Sequence, residues 1–184
     1  TFSKEEIEQM IGTINRSSKI GKRNYAIVLL AARLGIRASD ITTLKFSNVL
    51  WEKSIITFSQ YKTGREIELP LLVEVGNSII DYLKYARPIS SQPYVFLADR
   101  YPYQRMHTSG ITNLVQKAFL LSGINVNKRH HGPHALRHSL ASLLLEQRTI
   151  LPVITEVLGH ENSNSTKYYL RIDLKSMKQC ILDV

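Results

Sequence analysis

The pattern that most constrains the fold is one β-rich stretch set between segments of helical length. Residues 54–60 are rich in Ile, Thr and Phe, residues 61–65 contain a glycine, and residues 66–69 alternate charged with apolar side chains. This pattern predicts a β-hairpin or small meander with its turn at the glycine. Because the rest of the chain carries helix start and stop signals, we expect a mainly α fold with a small antiparallel β-sheet, an α+β class.

Capping residues, glycines and prolines divide the remainder of the chain into helices. Ser3-Lys4-Glu5-Glu6 is a capping box and predicts a helix over residues 4–15. Similar signals predict helices over residues 22–34, from residue 39, and over residues 71–87, 108–121 and 133–147. Further helices are expected after Pro152 and over residues 165–170 and 173–181. A chain of 184 residues divided in this way fits a single domain with a full core.

The charge balance of the chain is strongly basic. There are 24 Lys and Arg against 15 Asp and Glu, a formal charge of +9, as expected of a surface that neutralises phosphates. Cys180 is the only cysteine, which excludes an intrachain disulfide and favours a reducing compartment. The longest apolar runs, such as residues 26–32, are too short to cross a bilayer, and no signal peptide opens the chain. We therefore expect a soluble cytoplasmic protein with no membrane partner.

His134 and Arg137 form the first candidate site. They lie three residues apart on a predicted helix, so their side chains share one face and can converge on a single anion. The helix starts just after Gly132-Pro133, where unpaired amides and the helix dipole favour an anion. Taken alone, such a pair more often lies on a solvent-exposed face of a helix. Only the surrounding residues favour an anion-binding site.

The remaining candidates would complete a site for attack on a phosphodiester, which needs a nucleophile, donors for the phosphate oxygens and an acid. Arg37 lies in a connection between two predicted helices, and Lys62 lies at the hairpin turn. His160 follows a helix-ending glycine, and Tyr169 stands beside Tyr168. Each of these residues has a simpler explanation when it is taken alone. Arg37 could be a cation at a helix end and Lys62 a solvated charge. His160 could be a structural histidine, and the two tyrosines could be packed aromatic rings.

A cluster of histidines offers a competing hypothesis. Imidazoles four residues apart on a helix can share a zinc ion. The cluster consists of His130, His131, His134 and His138. No Glu follows His134, as a zinc-peptidase helix would require, and Arg137 would bring a like charge to the metal. A zinc protein is therefore the third hypothesis, after an enzyme acting on DNA and a DNA-binding module.

Five short motifs, taken in order, resemble the catalytic signature of the tyrosine recombinases, the phage-type integrases. They are Leu34-Gly35-Ile36-Arg37-Ala38-Ser39-Asp40, Tyr61-Lys62-Thr63-Gly64-Arg65, His134-Ala135-Leu136-Arg137-His138, Leu158-Gly159-His160 and Tyr169. The likeness spans residues 2–170. Family members commonly carry Glu where this chain has Asp40, a change that keeps the carboxylate, and often carry Thr at the position of Thr166.

The resemblance implies that four residues bind the phosphate under attack. Arg37 and Arg137 would clamp the scissile phosphate. His134 and His160 would donate to its oxygens and assist proton movement. The guanidinium group suits this task because it is always charged and meets phosphate oxygens with two parallel bonds.

The resemblance also implies the reaction itself. Tyr169 would be the nucleophile, giving a 3′-phosphotyrosyl link, and Lys62 would protonate the leaving 5′ oxygen. The 5′ hydroxyl of a partner strand would then attack in turn. The covalent link conserves the bond energy, so neither ATP, nor a metal, nor another cofactor is implied.

The expected partners are double-stranded DNA and other copies of the chain. In this family the carboxyl-terminal segment often docks on a neighbouring subunit of a tetramer on DNA. Apolar residues at near-helical spacing fit such a contact: Leu174, Met177, Ile181 and Leu182.

Members also carry an amino-terminal helical domain that completes a clamp around DNA. We therefore expect residues 1–184 to be the catalytic domain of a longer recombinase or integrase from a phage, a bacterium or a mobile element. A type IB topoisomerase, which uses the same tyrosine chemistry, and a non-catalytic DNA-binding module remain alternatives.

Overall fold

Six α-helices, two short 3₁₀ helices and one three-stranded sheet lie within residues 1–147, the part of the chain that this computed structural model describes. In chain order the elements are α1 (Lys4–Gly12), α2 (Lys19–Arg33), α3 (Ala38–Thr43), β1 (Val49–Leu50), β2 (Ile55–Ser59), β3 (Glu66–Pro70), α4 (Val73–Tyr85), α5 (Thr108–Leu121) and α6 (Pro133–Glu146). None of these helices is long and apolar enough to cross a bilayer. The predicted helices after Pro152 lie outside the described residues.

The helix signals of the sequence act as predicted at most boundaries. Ser3 accepts a hydrogen bond from the amide of Glu6 at 3.2 Å, and the Glu6 carboxylate accepts one from the amide of Ser3 at 2.8 Å. Helix α1 ends at Gly12, three residues before the predicted end. Helix α2 begins at Lys19 rather than at residue 22, because Ser18 caps it through a bond from the amide of Gly21.

The β-rich stretch forms the predicted meander. Strand β2 pairs antiparallel with β1 on one side and with β3 on the other. Ile56 faces Leu69 and Phe58 faces Ile67, and all four side chains are buried, so one face of the sheet covers the core. The turn between β2 and β3 has Gly64 at a φ of +67°, a conformation that favours glycine.

Helix α2 is the centre of the core. Its residues 26–32 are all buried, and it packs against both α4 and α6. Leu136 of α6 is fully buried in the same cluster. Just beyond the helix, Gly35 has a φ of +62° and turns the chain sharply towards α3. This packing brings the α2–α3 connection next to the start of α6, although about 100 residues separate them in sequence.

Candidate active site

A cleft of about 570 Å³ lies where the α2–α3 connection, α5 and the first turn of α6 meet. Its cationic and imidazole lining residues are Arg37, Arg129, His130, His131, His134 and Arg137. The cleft therefore unites three of the predicted site residues, from two motifs far apart in sequence. The structure places no acidic side chain among the residues that line it.

Arg137 is held at the back of this cleft. Its side chain is buried on α6, and its Nη1 donates to the carbonyl oxygen of Gly35 at 2.6 Å. Its Nη2 is buried and finds no acceptor within residues 1–147. Burial, together with the positive charge of Arg37, lowers the pKa of Arg137 to about 10, so the group still carries its charge at neutral pH.

Arg37 lines the same cleft from the α2–α3 connection. It is the residue that precedes α3, and its extended backbone starts that helix. The side chain is half-buried, and its Nη1 also lacks an acceptor among the residues described. A buried donor without a partner costs free energy, and native proteins leave few of them. Two such guanidinium nitrogens in one cleft indicate a site for an oxyanion.

Asp40 is the acidic residue next to the two arginines. It is buried at 2% exposure, and burial raises its pKa, against the opposing effects of the Tyr61 amide and of the positive charges of Arg37 and Arg137. Its Oδ1 accepts a hydrogen bond from the Tyr61 amide at 2.8 Å. One carboxylate facing two guanidinium groups leaves a positive charge without a counterion, which favours binding of an anion.

Lys62 lies on the turn between β2 and β3, as the sequence predicts. The turn is tied down by the bond from Tyr61 to Asp40 and by a second bond from the Gly64 amide to the Gln60 carbonyl at 2.8 Å. The side chain of Lys62 is exposed and does not line the cleft. The structure thus fixes the base of the turn beside α3 without bringing the Lys62 amine to the two arginines.

His134 occupies the first turn of α6 and lines the cleft. The side chain is exposed overall, yet partial burial lowers its pKa, and the like charges of His138, Arg137, Arg37 and His130 lower it further. Its Nε2 lies 2.9 Å from Nε2 of His138. Within residues 1–147, no group of three or more His, Cys, Asp or Glu side chains is arranged to hold a metal ion.

Arg129 lines the cleft, but its guanidinium group is bound to other parts of the protein. Its guanidinium donates two hydrogen bonds, of 2.7 and 2.8 Å, to the carboxylate of Glu6, and it stacks on the ring of Phe2 with 3.8 Å between Cζ and the ring centroid. No sequence pattern indicates this pair, because 123 residues separate its members. Two of the six predicted catalytic residues, His160 and Tyr169, lie outside the described residues, as does Tyr168.

Comparisons with known proteins identify the family of this chain. The sequence matches the family described as "Phage integrase family" over residues 1–175. A relative from Sinorhizobium fredii, the putative integrase/recombinase y4rA, is 36% identical over 98% of this chain and 44% of its own length. The chain thus spans less than half the length of that relative.

Two solved structures share the fold. The crystal structure of XerA recombinase superposes with a TM-score of 0.75 at 24% identity, over 100% of this chain and 65% of its own. The XerH site-specific recombinase bound to palindromic difH substrate gives a TM-score of 0.72 at 21% identity, over 98% and 52%. The predicted mainly α fold with a small antiparallel sheet, that of a tyrosine recombinase catalytic domain, is confirmed. Since the family match covers nearly the whole chain, this protein belongs to the phage integrase family of tyrosine recombinases.

Proposed function

We propose that this chain cleaves and rejoins double-stranded DNA as a site-specific recombinase or integrase. The observation that supports this most is the pair of buried guanidinium nitrogens, Nη1 of Arg37 and Nη2 of Arg137, which have no acceptor among the described residues. Both residues line one cleft without an acidic side chain. The two non-bridging oxygens of a phosphodiester would supply the missing acceptors, and the formal charge of +9 would attract the duplex.

The proposed reaction begins with attack by the phenol oxygen of Tyr169 on the scissile phosphorus. The phenol gives its proton to water, the new bond joins tyrosine to the 3′ phosphate, and the bond from phosphorus to the 5′ oxygen breaks. The departing 5′ oxygen takes a proton from Lys62. The charge that develops on the five-coordinate phosphorus faces Arg37 and Arg137, which stabilise it more strongly inside a partly buried cleft than they would in water.

The histidines assist the same step. His134 would donate to a non-bridging oxygen from the start of α6, where the helix dipole also favours the anion. His160 is proposed to donate from the carboxyl-terminal region. In the rejoining step a 5′ hydroxyl attacks the phosphotyrosyl link and gives its proton to Lys62, the bond from phosphorus to the tyrosine oxygen breaks, and the phenolate of Tyr169 takes a proton from water.

The exposed position of Lys62 fits a role that begins only when DNA is bound. Its turn projects from the sheet and is anchored at its base through Tyr61 and Asp40. A lysine on such a turn can reach into a groove of a duplex lying across the cleft. Arg37 and Arg137 would then bind first, and Lys62 would complete the site.

The larger assembly is also a proposal. Residues 1–184 would form the catalytic domain of a longer protein, since the chain covers 44% of y4rA and 65% of the XerA recombinase structure. The XerH recombinase was solved bound to its difH substrate, which supports DNA as the partner here. A tetramer joined through the carboxyl-terminal segment is proposed on the apolar spacing of that segment alone. An enzyme with this substrate would work in the cytoplasm of a bacterium.

A covalent trap tests the proposed function. The 184-residue chain is incubated with a library of nicked duplexes of randomised sequence, in which cleavage releases a short strand and prevents rejoining. Adducts that survive denaturation are then isolated and sequenced. We expect adducts with the parent chain and with Tyr168→Phe, and none with Tyr169→Phe, although Tyr169→Phe should bind DNA as the parent does.

The outcomes separate the alternatives. Loss of adduct in Tyr168→Phe instead would make Tyr168 the nucleophile. If no variant forms an adduct and DNA binding weakens as the salt concentration rises, the protein is a non-catalytic DNA-binding module. If adducts form but only relaxation of supercoiled DNA follows, without exchange between two sites, the protein is a topoisomerase and not a recombinase.

A further inference from the structure

The imidazole of His134 is paired with a second imidazole on the same helix. His134 and His138 are four residues apart on α6, and their Nε2 atoms lie 2.9 Å apart. The rings stand at 84° to each other, with 4.3 Å between their centroids. Two nitrogens this close cannot both present lone pairs or both present hydrogens, so one hydrogen lies between them. The pair therefore consists of one donor and one acceptor.

The protonation state of His134 limits which ring donates. Partial burial and the surrounding positive charge of His138, Arg137, Arg37 and His130 lower its pKa, so the free ring is neutral at neutral pH. A neutral imidazole carries one N–H, on either Nδ1 or Nε2. The hydrogen bond made at one ring nitrogen decides which nitrogen holds the hydrogen.

Only one of the two arrangements suits an anion in the cleft. If Nε2 of His134 donated to His138, its Nδ1 would carry a lone pair and could not donate to a phosphate oxygen. If Nε2 accepts from His138, the hydrogen of His134 sits on Nδ1 and can be donated. Arg137, which lies between the two histidines in sequence, donates through Nη1 to the Gly35 carbonyl and leaves Nη2 without an acceptor within residues 1–147, so it bonds to neither ring.

We propose that His138 is a positioning residue: its Nε2–H donates to Nε2 of His134, which fixes His134 as the Nδ1–H tautomer and leaves that N–H to donate to the scissile phosphate. This inference rests on the proposed function. His138 is exposed and does not line the cleft, so it acts through His134 and does not touch the phosphate. Within the described part of the chain, His138 is the side chain that hydrogen-bonds to His134.

A hydrogen bond to His134 accounts for a histidine at the exposed position 138. An imidazole at His138 has a nitrogen at the right reach, one helical turn away, and its flat ring stacks edge-on against His134. Glutamine has an amide nitrogen at a similar distance from the backbone and can donate from it. Leucine has neither donor nor acceptor and should leave the two tautomers of His134 to interconvert.

Two measurements test the proposal on the 184-residue chain. Long-range proton–nitrogen NMR of histidine-labelled protein at neutral pH reads the tautomer of His134 without DNA. The covalent trap, run on a nicked duplex recovered with the parent chain, gives the rate of adduct formation. The variants are His138→Leu and His138→Gln, and Glu146→Leu is the control for adding a leucine to an exposed position of α6.

We expect the parent and His138→Gln to hold His134 as Nδ1–H and to form adduct at similar rates. His138→Leu should show both tautomers and lose roughly 2- to 10-fold in rate, because only the fraction of His134 that is Nδ1–H can then donate to the phosphate. Glu146→Leu should match the parent in both measurements.

An Nε2–H tautomer of His134 in the parent protein would overturn the inference, and so would a His138→Leu variant with unchanged tautomer and rate. Failure of the parent to form any adduct would instead refute the proposed function, and the NMR result would still decide the hydrogen-bond direction. If His138→Leu did not fold, the parent tautomer and the His138→Gln rate would decide the question.

Discussion

Inorganic phosphate should stabilise this protein through Arg37 and Arg137. Each of the two guanidinium nitrogens without an acceptor in the described part of the chain can form a charge-assisted hydrogen bond with one phosphate oxygen. Two such bonds at about 2 kcal/mol each correspond to a dissociation constant on the order of 1 mM. At a tenfold excess over that constant, binding to the folded state alone adds about 1.4 kcal/mol to the free energy of unfolding. The melting temperature of a chain of this size should then rise by roughly 3–6 °C.

The assay is thermal unfolding in about 10 mM phosphate, a concentration about ten times the expected dissociation constant. The reference is the same protein in chloride at matched ionic strength. Arg37→Gln removes one of the two cations from the cleft, and Arg100→Gln removes an exposed cation that does not line it. We expect the phosphate-dependent rise in Arg100→Gln and its near absence in Arg37→Gln. An equal rise in all three proteins would mean that phosphate acts by exclusion from the surface, and the oxyanion site would be refuted.

Three further predictions concern the fold around the site. Hydrogen bonds from Arg129 lower the pKa of Glu6 to about 2, so the stability that the pair contributes is present above pH 4.5 and is lost as the pH falls toward 2. In urea titrations, Glu6→Gln should lower the free energy of unfolding by about 1–2 kcal/mol at pH 7 and by almost nothing at pH 2. An equal loss at both pH values would exclude the ion pair as the cause. Asp40→Ala removes the acceptor of the Tyr61 amide and should speed its hydrogen exchange by about tenfold, whereas Asp40→Asn should not, because it keeps an oxygen there. Leu136→Ala, at a fully buried position, should cost about 2–5 kcal/mol in chemical denaturation, and a loss below about 1 kcal/mol would contradict its place in the core.

Sequence patterns predict the helices and the meander well because these elements depend on neighbouring residues. The capping box at Ser3 and the helix over residues 108–121 are confirmed. The predicted start of α2 is wrong by three residues, because the cap is Ser18. Strand β1 has only two residues, too few for an alternating pattern, and it exists because β2 offers a pairing edge.

The site is predictable only in part. The convergence of Arg37 with His134 and Arg137 follows from the family resemblance, since no local pattern connects residues 100 apart. The burial of Arg137 and its bond to the Gly35 carbonyl depend on how α6 packs against α2, which the sequence does not state. The four-residue spacing of His134 and His138 is visible in the sequence, but there it indicates a metal-binding pattern rather than a pair of hydrogen-bonded rings.

The link between Arg137 and the carbonyl of Gly35 makes the length of α2 a fixed dimension of the protein. Deleting one residue anywhere in this helix would shift its end by about 1.5 Å and rotate it by about 100°. The Gly35 oxygen would leave the guanidinium, and Arg37 would point away from its counterpart. The sequence of α2 can therefore change within the limits of core packing, but an insertion or a deletion in this helix would separate the two guanidinium groups.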